Sequence, residues 1–286
     1  MLTRREALRR TMLLAGMVGF GTSRARADGI WRPNVRLGAC DWSLGKRSDP
    51  GSFAIARTLG LDGVQLDLGE NPSSFLDAGK RKAFEDAARQ HGVAIASLAL
   101  GILNQVPYKS EAITETWVRD SIDLAGAMSL EVILLAFFNH NDLKNDAEGQ
   151  REVVRRLKRV APRAEDAGVI LGIESWLSAD EHREIIDAVG SPNVRVYYDV
   201  ANSNQMGYDV YSEIRELGSE LICEVHAKEN GALLGKGVID FERVKDALAE
   251  IDYSGWVQIE GAVPQGADLM ESYHWNSRFM RDLFGG

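Results

Sequence analysis

Residues 168–175 read GVILGIES: a glycine, an almost unbroken apolar run, and a carboxylate where the run ends. Apolar residues at nearly every position, instead of every second one, suit a parallel strand covered on both faces. The same unit recurs along the chain. VRLGACDW (35–42), GVQLDL (63–68), VAIASLAL (93–100), EVILLAFF (131–138), VRVYYDV (194–200), LICEVHA (221–227) and WVQIEGAV (256–263) bring the set to eight. Gly63, Gly92, Gly168 and Gly255 directly precede runs, as expected where a helix ends in a left-handed residue before a strand.

Helical periodicity fills the gaps. Val153, Val154, Leu157, Val160, Ala161 and Ala164 share one helical face, with Pro162 expected to bend or shorten that helix. Asp240-Phe241-Glu242 opens another, with Val244, Leu248 and Ile251 inward, and Leu269, Tyr273, Met280 and Leu283 mark a closing helix. Eight strands alternating with helices predict an α/β fold, a (β/α)8 TIM barrel as a single domain over residues 28–286, whose usual size is about 250 residues. An open doubly wound sheet would more often carry a glycine-rich phosphate fingerprint after its first strand, and LGACDWSLG (37–45) is not one. No second domain, low-complexity tract or linker is legible; the nearest to a long loop is 102–115.

The first 27 residues have a different character. Thr3-Arg4-Arg5, Leu8, the apolar run from Thr11 to Phe20 and Ala25-Arg26-Ala27 have the pattern of a twin-arginine export signal cleaved before Asp28. About ten apolar residues are too few to cross a bilayer, which needs roughly 20, so no stable membrane insertion is expected after removal. Cleavage would take six arginines and one glutamate and move the formal charge from −9 to −14. That charge repels nucleic acid and anionic lipid, so the expected partner is a small neutral or metal-bridged ligand, with self-association into a homo-oligomer left open. The two cysteines, Cys40 and Cys223, fall on non-neighbouring strands toward opposite ends, and both are expected free.

A barrel collects its active site at the C-terminal ends of its strands. In order, those ends carry Glu174, Asp199, His226 and Glu260 on strands five to eight, about one strand–helix unit apart. Alone, His226 would be a satisfied core histidine, Asp199 a helix cap and Glu260 a rim ion pair. Together they place three carboxylates and one imidazole on one rim, where like charges repel unless a cation neutralises them. One divalent metal ion is the economical explanation, and carboxylate-rich ligation suits Mn²⁺, Mg²⁺ or Co²⁺. Other strand ends offer Trp42, Gln65, Asn139, His140 and Trp176 as substrate contacts. The tryptophans suit the apolar face of a sugar, or simple packing; His140 binds substrate or caps the next helix.

GVILGIES, VRVYYDVANSNQMGYD (194–209), ICEVHAKEN (222–230) with LGKGVIDF (234–241) behind it, and GWVQIEG (255–261) resemble the xylose isomerase-like TIM-barrel family over roughly residues 33 to 284. The family includes sugar isomerases, sugar epimerases and inosose dehydratases. The resemblance implies that Glu174, Asp199, His226 and Glu260 bind one divalent metal, and that Glu174 and Glu260 also transfer protons. Two positions depart. Epimerase relatives usually have a histidine where this chain has Asn202, and often an arginine where it has Ala232. Asn202 then becomes a substrate-contact candidate, and a standard free-ketose epimerase is put in doubt. Lys228 resembles an H-x-K-[DE] pattern found elsewhere in the superfamily and would bind a substrate oxygen or act as an acid, unless it pairs with Glu229 at the rim. The histidine-rich trinuclear zinc site of the related DNA-repair endonucleases is not matched: the chain has five histidines, and His91, His182 and His274 are expected on helix surfaces.

The chemistry implied is proton abstraction beside a metal-chelated carbonyl, through an enediolate. Return of the proton gives epimerisation or isomerisation; loss of a β leaving group gives a lyase or dehydratase, and the reverse a hydratase on a 3-keto-sugar or keto-glycoside. Export favours an unphosphorylated sugar or keto-sugar. A non-catalytic carbohydrate-binding barrel or partner subunit is the other reading.

Overall fold

The computed structural model describes residues 34–285. The expected export signal at residues 1–27 lies outside them. Eight parallel strands close in sequence order: β1 (Val35–Cys40), β2 (Gly63–Asp67), β3 (Ala94–Leu100), β4 (Val132–Phe137), β5 (Ile170–Ser175), β6 (Val194–Asp199), β7 (Ile222–Glu229) and β8 (Gly255–Gly261). β8 pairs back onto β1, with Val35 level with Gly255. Each of the eight apolar runs is therefore a strand. Around them lie α1 (Ser52–Thr58), α2 (Ala78–His91), α3 (Ala112–Met128), α4 (Ala147–Ala167), α5 (Ala179–Val189), α6 (Val200–Gln205), α7 (Val210–Leu221), α8 (Phe241–Glu250) and α9 (Leu269–Phe284). Among the described residues no helix is long and apolar enough to cross a membrane.

Local chemistry sets the boundaries. Ser178 caps α5 in a capping box with Glu181, and aspartates cap α2, α4, α7, α8 and α9 by accepting backbone N–H bonds. Gly92 and Gly168 close α2 and α4 in the left-handed conformation expected of them. Gly63 does not: it is the first residue of β2, and a Cβ there would lie 2.4 Å from the Trp256 ring and 3.2 Å from the Ala96 Cβ. Gly255 likewise opens β8 and caps no helix. Gly63→Ala is accordingly expected to cost about 1–3 kcal/mol by overpacking, read as a lower urea midpoint; an unchanged midpoint would show that the indole can step aside.

Pro162 neither ends nor shortens its helix. α4 continues through it for 21 residues. Pro162 and Lys158, whose carbonyl loses its intrahelical partner, are both on the exposed side, where water replaces the bond. Of the six residues expected on the inner face of α4, Val153, Leu157, Ala161 and Ala164 are buried and Val154 and Val160 are half-buried at its edge; Gly149 and Arg156 are buried as well.

The ladder brings the rim residues level. Asp199 is in register with His226, Lys228 with Glu260, and Ala136 with Glu174. Side chains alternate along a strand, so His226 and Lys228 share the barrel-facing side of β7 with Glu224 below them.

Candidate metal centre and substrate cavity

The four rim residues converge as their spacing predicts. One ligand atom from each of Glu174, Asp199, His226 and Glu260 lies within 4.8 Å of all the others. Nδ1 of His226 faces the acids, 2.8 Å from Glu174 Oε1, 3.5 Å from Glu260 Oε2 and 3.8 Å from Asp199 Oδ2. His226 is wholly buried, and Glu174 and Asp199 are nearly so.

Most of these residues have one polar atom tied to the protein and another turned inward. Asp199 caps α6: its Oδ1 accepts the N–H groups of Ala201 (2.8 Å) and Asn202 (2.9 Å), leaving Oδ2 for the cluster. Glu260 Oε1 accepts the Trp42 indole N–H at 3.0 Å, leaving Oε2. On the far side of the imidazole, Gln65 Oε1 accepts the Nε2–H of His226 at 2.9 Å. With Nε2–H committed to Gln65, Nδ1 either carries a second proton and donates to Glu174 Oε1, or offers its lone pair to a cation shared with the carboxylates. Asp199 Oδ2 and Glu260 Oε2 are buried without hydrogen-bond partners; what they meet is the Lys228 ammonium, 3.4 and 2.8 Å away. The donor set, one nitrogen and three carboxylates around a common centre, therefore fits a divalent cation of the oxygen-preferring kind.

The electrostatics point the same way. Burial would lower the His226 pKa, but Glu174, Glu260 and Asp199 overturn it and raise it to about 9. Burial raises Asp199 to about 7 against the pull of Lys228. The same burial acts on Glu260, yet His226 and Lys228 outweigh it and hold it at about 2. Burial also opposes the charge on Lys228, but the surrounding acids raise its pKa far above the ordinary lysine value. Asp199 and His226 are thus driven toward their protonated forms, while Glu260 keeps its charge by leaning on neighbouring cations. Lys228 does not pair with Glu229, which instead accepts the backbone N–H of Val238 at 2.8 Å across the following loop.

A cavity of about 390 Å³ opens above the cluster, lined by Trp42, Phe138 and Trp176 and by the amides Asn104, Gln105, Asn139, Asn202, Gln205 and Asn230. Trp42, Trp176, Asn202 and Lys228 thus sit where the sequence puts substrate contacts. Gln65 does not. It is fully buried beneath His226 and reaches the ion site only through that ring. His140 is exposed and outside the cavity lining, because a 3-10 turn with Asn139 at φ 51° turns Asn139 inward and carries its neighbour away. The other cation on the wall, Arg47, is held by Asp67 through two bonds of 3.0 and 3.1 Å. Gly101 makes room for that pair: a Cβ there would lie 2.4 Å from Asp67 Oδ2.

Cys40 and Cys223 are free. Cys40 lies inside the barrel, its Sγ 3.4 Å from His226 Nε2 and donating to Gln65 Oε1 at 3.3 Å, and burial pushes its thiol pKa up, so it stays protonated. Sequence reading placed Asn139 and Asn202 at the cavity but missed this thiol's position, the wall amides Asn104, Gln105, Gln205 and Asn230, and Ser97, Tyr197 and Glu224 beneath Gln65. Parity was the available signal for the last two, since Tyr197 and Glu224 each stand two residues before a rim ligand.

His182 is not a surface histidine. It is 4% exposed, its Nδ1–H donates to Ser178 O (3.0 Å) and its Nε2 accepts from Ser175 Oγ (2.9 Å), fixing the loop that follows Glu174. Burial lowers its pKa from 6.5 to about 4. The unfolded chain therefore takes up this proton first, and the stability held by neutral His182 is complete above about pH 6.5 and lost as pH falls toward 4. At 1.36 kcal/mol per unit the loss approaches about 3 kcal/mol. Urea titrations at pH 7 and pH 4 are expected to show this extra loss in the wild type relative to His182→Gln; parallel slopes would refute it.

Residues 53–283 match the family model described as xylose isomerase-like TIM barrel. The chain is 26% identical over 222 residues to a 2-epi-5-epi-valiolone 7-phosphate 2-epimerase of Actinoplanes sp., covering 74% of this chain and 82% of that one. It is 27% identical over 246 residues to an L-ribulose-5-phosphate 3-epimerase of Shigella boydii, covering 77% and 86%. A solved D-psicose 3-epimerase, determined in the presence of D-fructose, superposes with a TM-score of 0.71 at 20% identity over 88% of this chain and all of that one. With that family match spanning most of its length and the barrel closed as the family requires, the chain belongs to the xylose isomerase-like TIM-barrel family.

Proposed function

We propose that this protein is a divalent-metal-dependent epimerase or isomerase acting on an unphosphorylated sugar or keto-sugar, with Mn²⁺, Mg²⁺ or Co²⁺ held by Glu174, Asp199, His226 and Glu260. The observation that carries the reading is the convergence of those four ligand atoms within 4.8 Å at the floor of the cavity. The Actinoplanes and Shigella relatives, named as epimerases, support the reaction class, although both are named for phosphorylated substrates. When bound, the cation would supply Lewis-acid polarisation of a carbonyl and its neighbouring hydroxyl. Glu174 and Glu260 reach the centre from β5 and β8, with β6 and β7 between them. One takes the proton from the carbon beside the carbonyl and the other returns one. Trp42 and Lys228 hold Glu260 in position, through the indole N–H at 3.0 Å and the ammonium at 2.8 Å.

Aromatic walls and paired amides recognise a neutral polyhydroxyl ligand. Phosphate would find no uncommitted cation on the described walls, since both Arg47 and Lys228 are engaged by carboxylates. The twin-arginine pattern agrees with an exported enzyme meeting unphosphorylated sugars. Where the substrate carries a leaving group β to the carbonyl, the same abstraction ends in elimination, which makes a lyase or dehydratase the second outcome.

The test is proton–deuterium exchange by NMR in D₂O with metal-loaded protein and a panel of ketoses, 3-keto-sugars and 3-keto-glycosides. Metal-dependent loss of one α-proton signal is expected, and the product then separates epimerase from lyase. Turnover confined to sugar phosphates would overturn the substrate class. Binding without exchange would leave a carbohydrate-binding barrel.

A further inference from the structure

Below the rim, the barrel interior holds a hydrogen-bonded chain with a single direction. Gln65 Oε1 accepts from His226 Nε2–H and from Cys40 Sγ–H. Its amide nitrogen donates both protons, to Ser97 Oγ at 3.2 Å and Tyr197 Oη at 3.0 Å. Those two hydroxyls donate in turn to one atom, Glu224 Oε2, at 2.9 and 2.8 Å, and Gln258 Nε2 approaches the same oxygen at 3.4 Å. Glu224 is 1% exposed, and its other oxygen, Oε1, has no hydrogen-bond partner among the described residues. A proton on this carboxyl would therefore reside on Oε1, and Oε2 remains an acceptor either way.

The strand pairing is adjusted to make this chain. Between β2 and β3 the register slips at Val64/Gln65, so that Ala96 is passed over and Gln65 lies level with Ser97. Between β6 and β7 it slips at Val196/Tyr197, passing over Cys223 and setting Tyr197 level with Glu224. These two slips each bring one pair of the chain's members abreast. Bulges re-aim side chains in this way beside functional sites.

We infer that Glu224 is a positioning residue for the metal centre: by accepting from Ser97 and Tyr197 it turns their lone pairs toward Gln65, fixes which way the Gln65 amide faces, and so fixes which nitrogen of His226 faces the carboxylates. With the acceptor gone, both hydroxyls can donate upward and the amide can flip, presenting N–H to N–H at the imidazole. The inference rests on the metal-site reading above only for its effect on ion affinity; the orientation of Gln65 and His226 does not depend on it.

The experiment uses ¹⁵N-histidine-labelled protein, metal-free and Mg²⁺-loaded, to follow the His226 Nε2–H signal, and calorimetry to measure Mn²⁺ affinity. Glu224→Met is expected to displace or abolish the Nε2–H signal and to weaken Mn²⁺ binding 10–100-fold, the usual cost of losing a group that orients a ligand. Glu224→Gln is expected to restore both, because its carbonyl oxygen can stand where Oε2 stood. The Ser97→Ala/Tyr197→Phe double variant removes both arms while keeping the carboxylate, and is expected to reproduce the loss should Glu224→Met fail to fold. An unchanged Nε2–H signal with Mn²⁺ affinity within twofold of wild type, in either folded variant, would overturn the inference. Equal loss in Glu224→Met and Glu224→Gln would assign the effect to charge and overturn it too. Absence of Mn²⁺ binding by the wild type would sink the metal-site reading, while the metal-free Nε2–H signal would still decide this one.

Discussion

Glu174→Gln and Glu260→Gln are each expected to lower metal-dependent deuterium exchange by about 10²–10⁴-fold, the range of a lost general acid or base. The size should lie at the upper end, since each residue is also a ligand in the proposed centre. The substitutions keep volume and differ instructively. In Glu260→Gln the new amide can still accept the Trp42 indole N–H through its carbonyl oxygen. This turns the amide nitrogen toward the Lys228 ammonium, where Glu260 Oε2 now stands 2.8 Å away. In Glu174→Gln the amide takes the place of a carboxylate 2.8 Å from His226 Nδ1. The first loss is of a base and a counter-charge together, the second of a base beside an unmoved imidazole. Single-turnover exchange at saturating sugar and metal isolates the chemical step; rates within threefold of wild type in both variants would remove the glutamates from proton transfer.

Removal of the divalent ion is expected to abolish exchange altogether and to lower stability measurably. Three carboxylates at one rim, two with buried oxygens that lack hydrogen-bond partners among the described residues, repel one another, and the Lys228 ammonium offsets only part of that charge. A ligand at 100 times its dissociation constant adds about 2.7 kcal/mol to the folded state. For a domain of this size each kcal/mol moves Tm by roughly 2–4 °C, so Mn²⁺ should raise Tm by about 5–10 °C. Asp199→Asn keeps the α6 cap largely intact, since its amide oxygen can replace Oδ1, and should cancel most of the shift. A thermal curve indifferent to millimolar Mn²⁺, Mg²⁺ and Co²⁺ would exclude the metal centre whatever the activity assays show.

The barrel was legible because strands buried on both faces have little choice of residue. VILGIES and VRVYYDV announce themselves by near-continuous apolarity, and their spacing fixes the order of the sheet. Glu174, Asp199, His226 and Glu260 were legible because a carboxylate or imidazole at the end of such a run violates the pattern. Gln65 was visible for the same reason but misplaced: one layer of depth inside the barrel separates a substrate contact from a support beneath His226, and the run alone does not measure depth. Ser97 and Tyr197 carry hydroxyls that pass for ordinary strand residues. Their alignment with Gln65 and Glu224 depends on register slips that no periodicity encodes. His182 looked like a helix-surface residue because the neighbouring Glu181 and Arg183 are polar, yet the helix turns its face to Ser175. The cavity's far wall comes from 3-10 turns and loops, where side-chain direction follows local backbone angles such as the positive φ of Asn139.

The division of labour between strands and loops has a consequence for how this chain can change over time. The four rim acids and bases are borne on β5–β8, locked by pairing on both sides, whereas Asn104, Gln105, Asn139 and Asn230 come from the turns after β3, β4 and β7. Insertions and substitutions in those turns reshape what the cavity recognises without disturbing the ladder that sets the rim. Descendants of such a barrel can exchange one sugar for another by small steps, each leaving a working centre behind. The reverse route, altering the chemistry while keeping the sugar, would require simultaneous change in paired strands and is the steeper path.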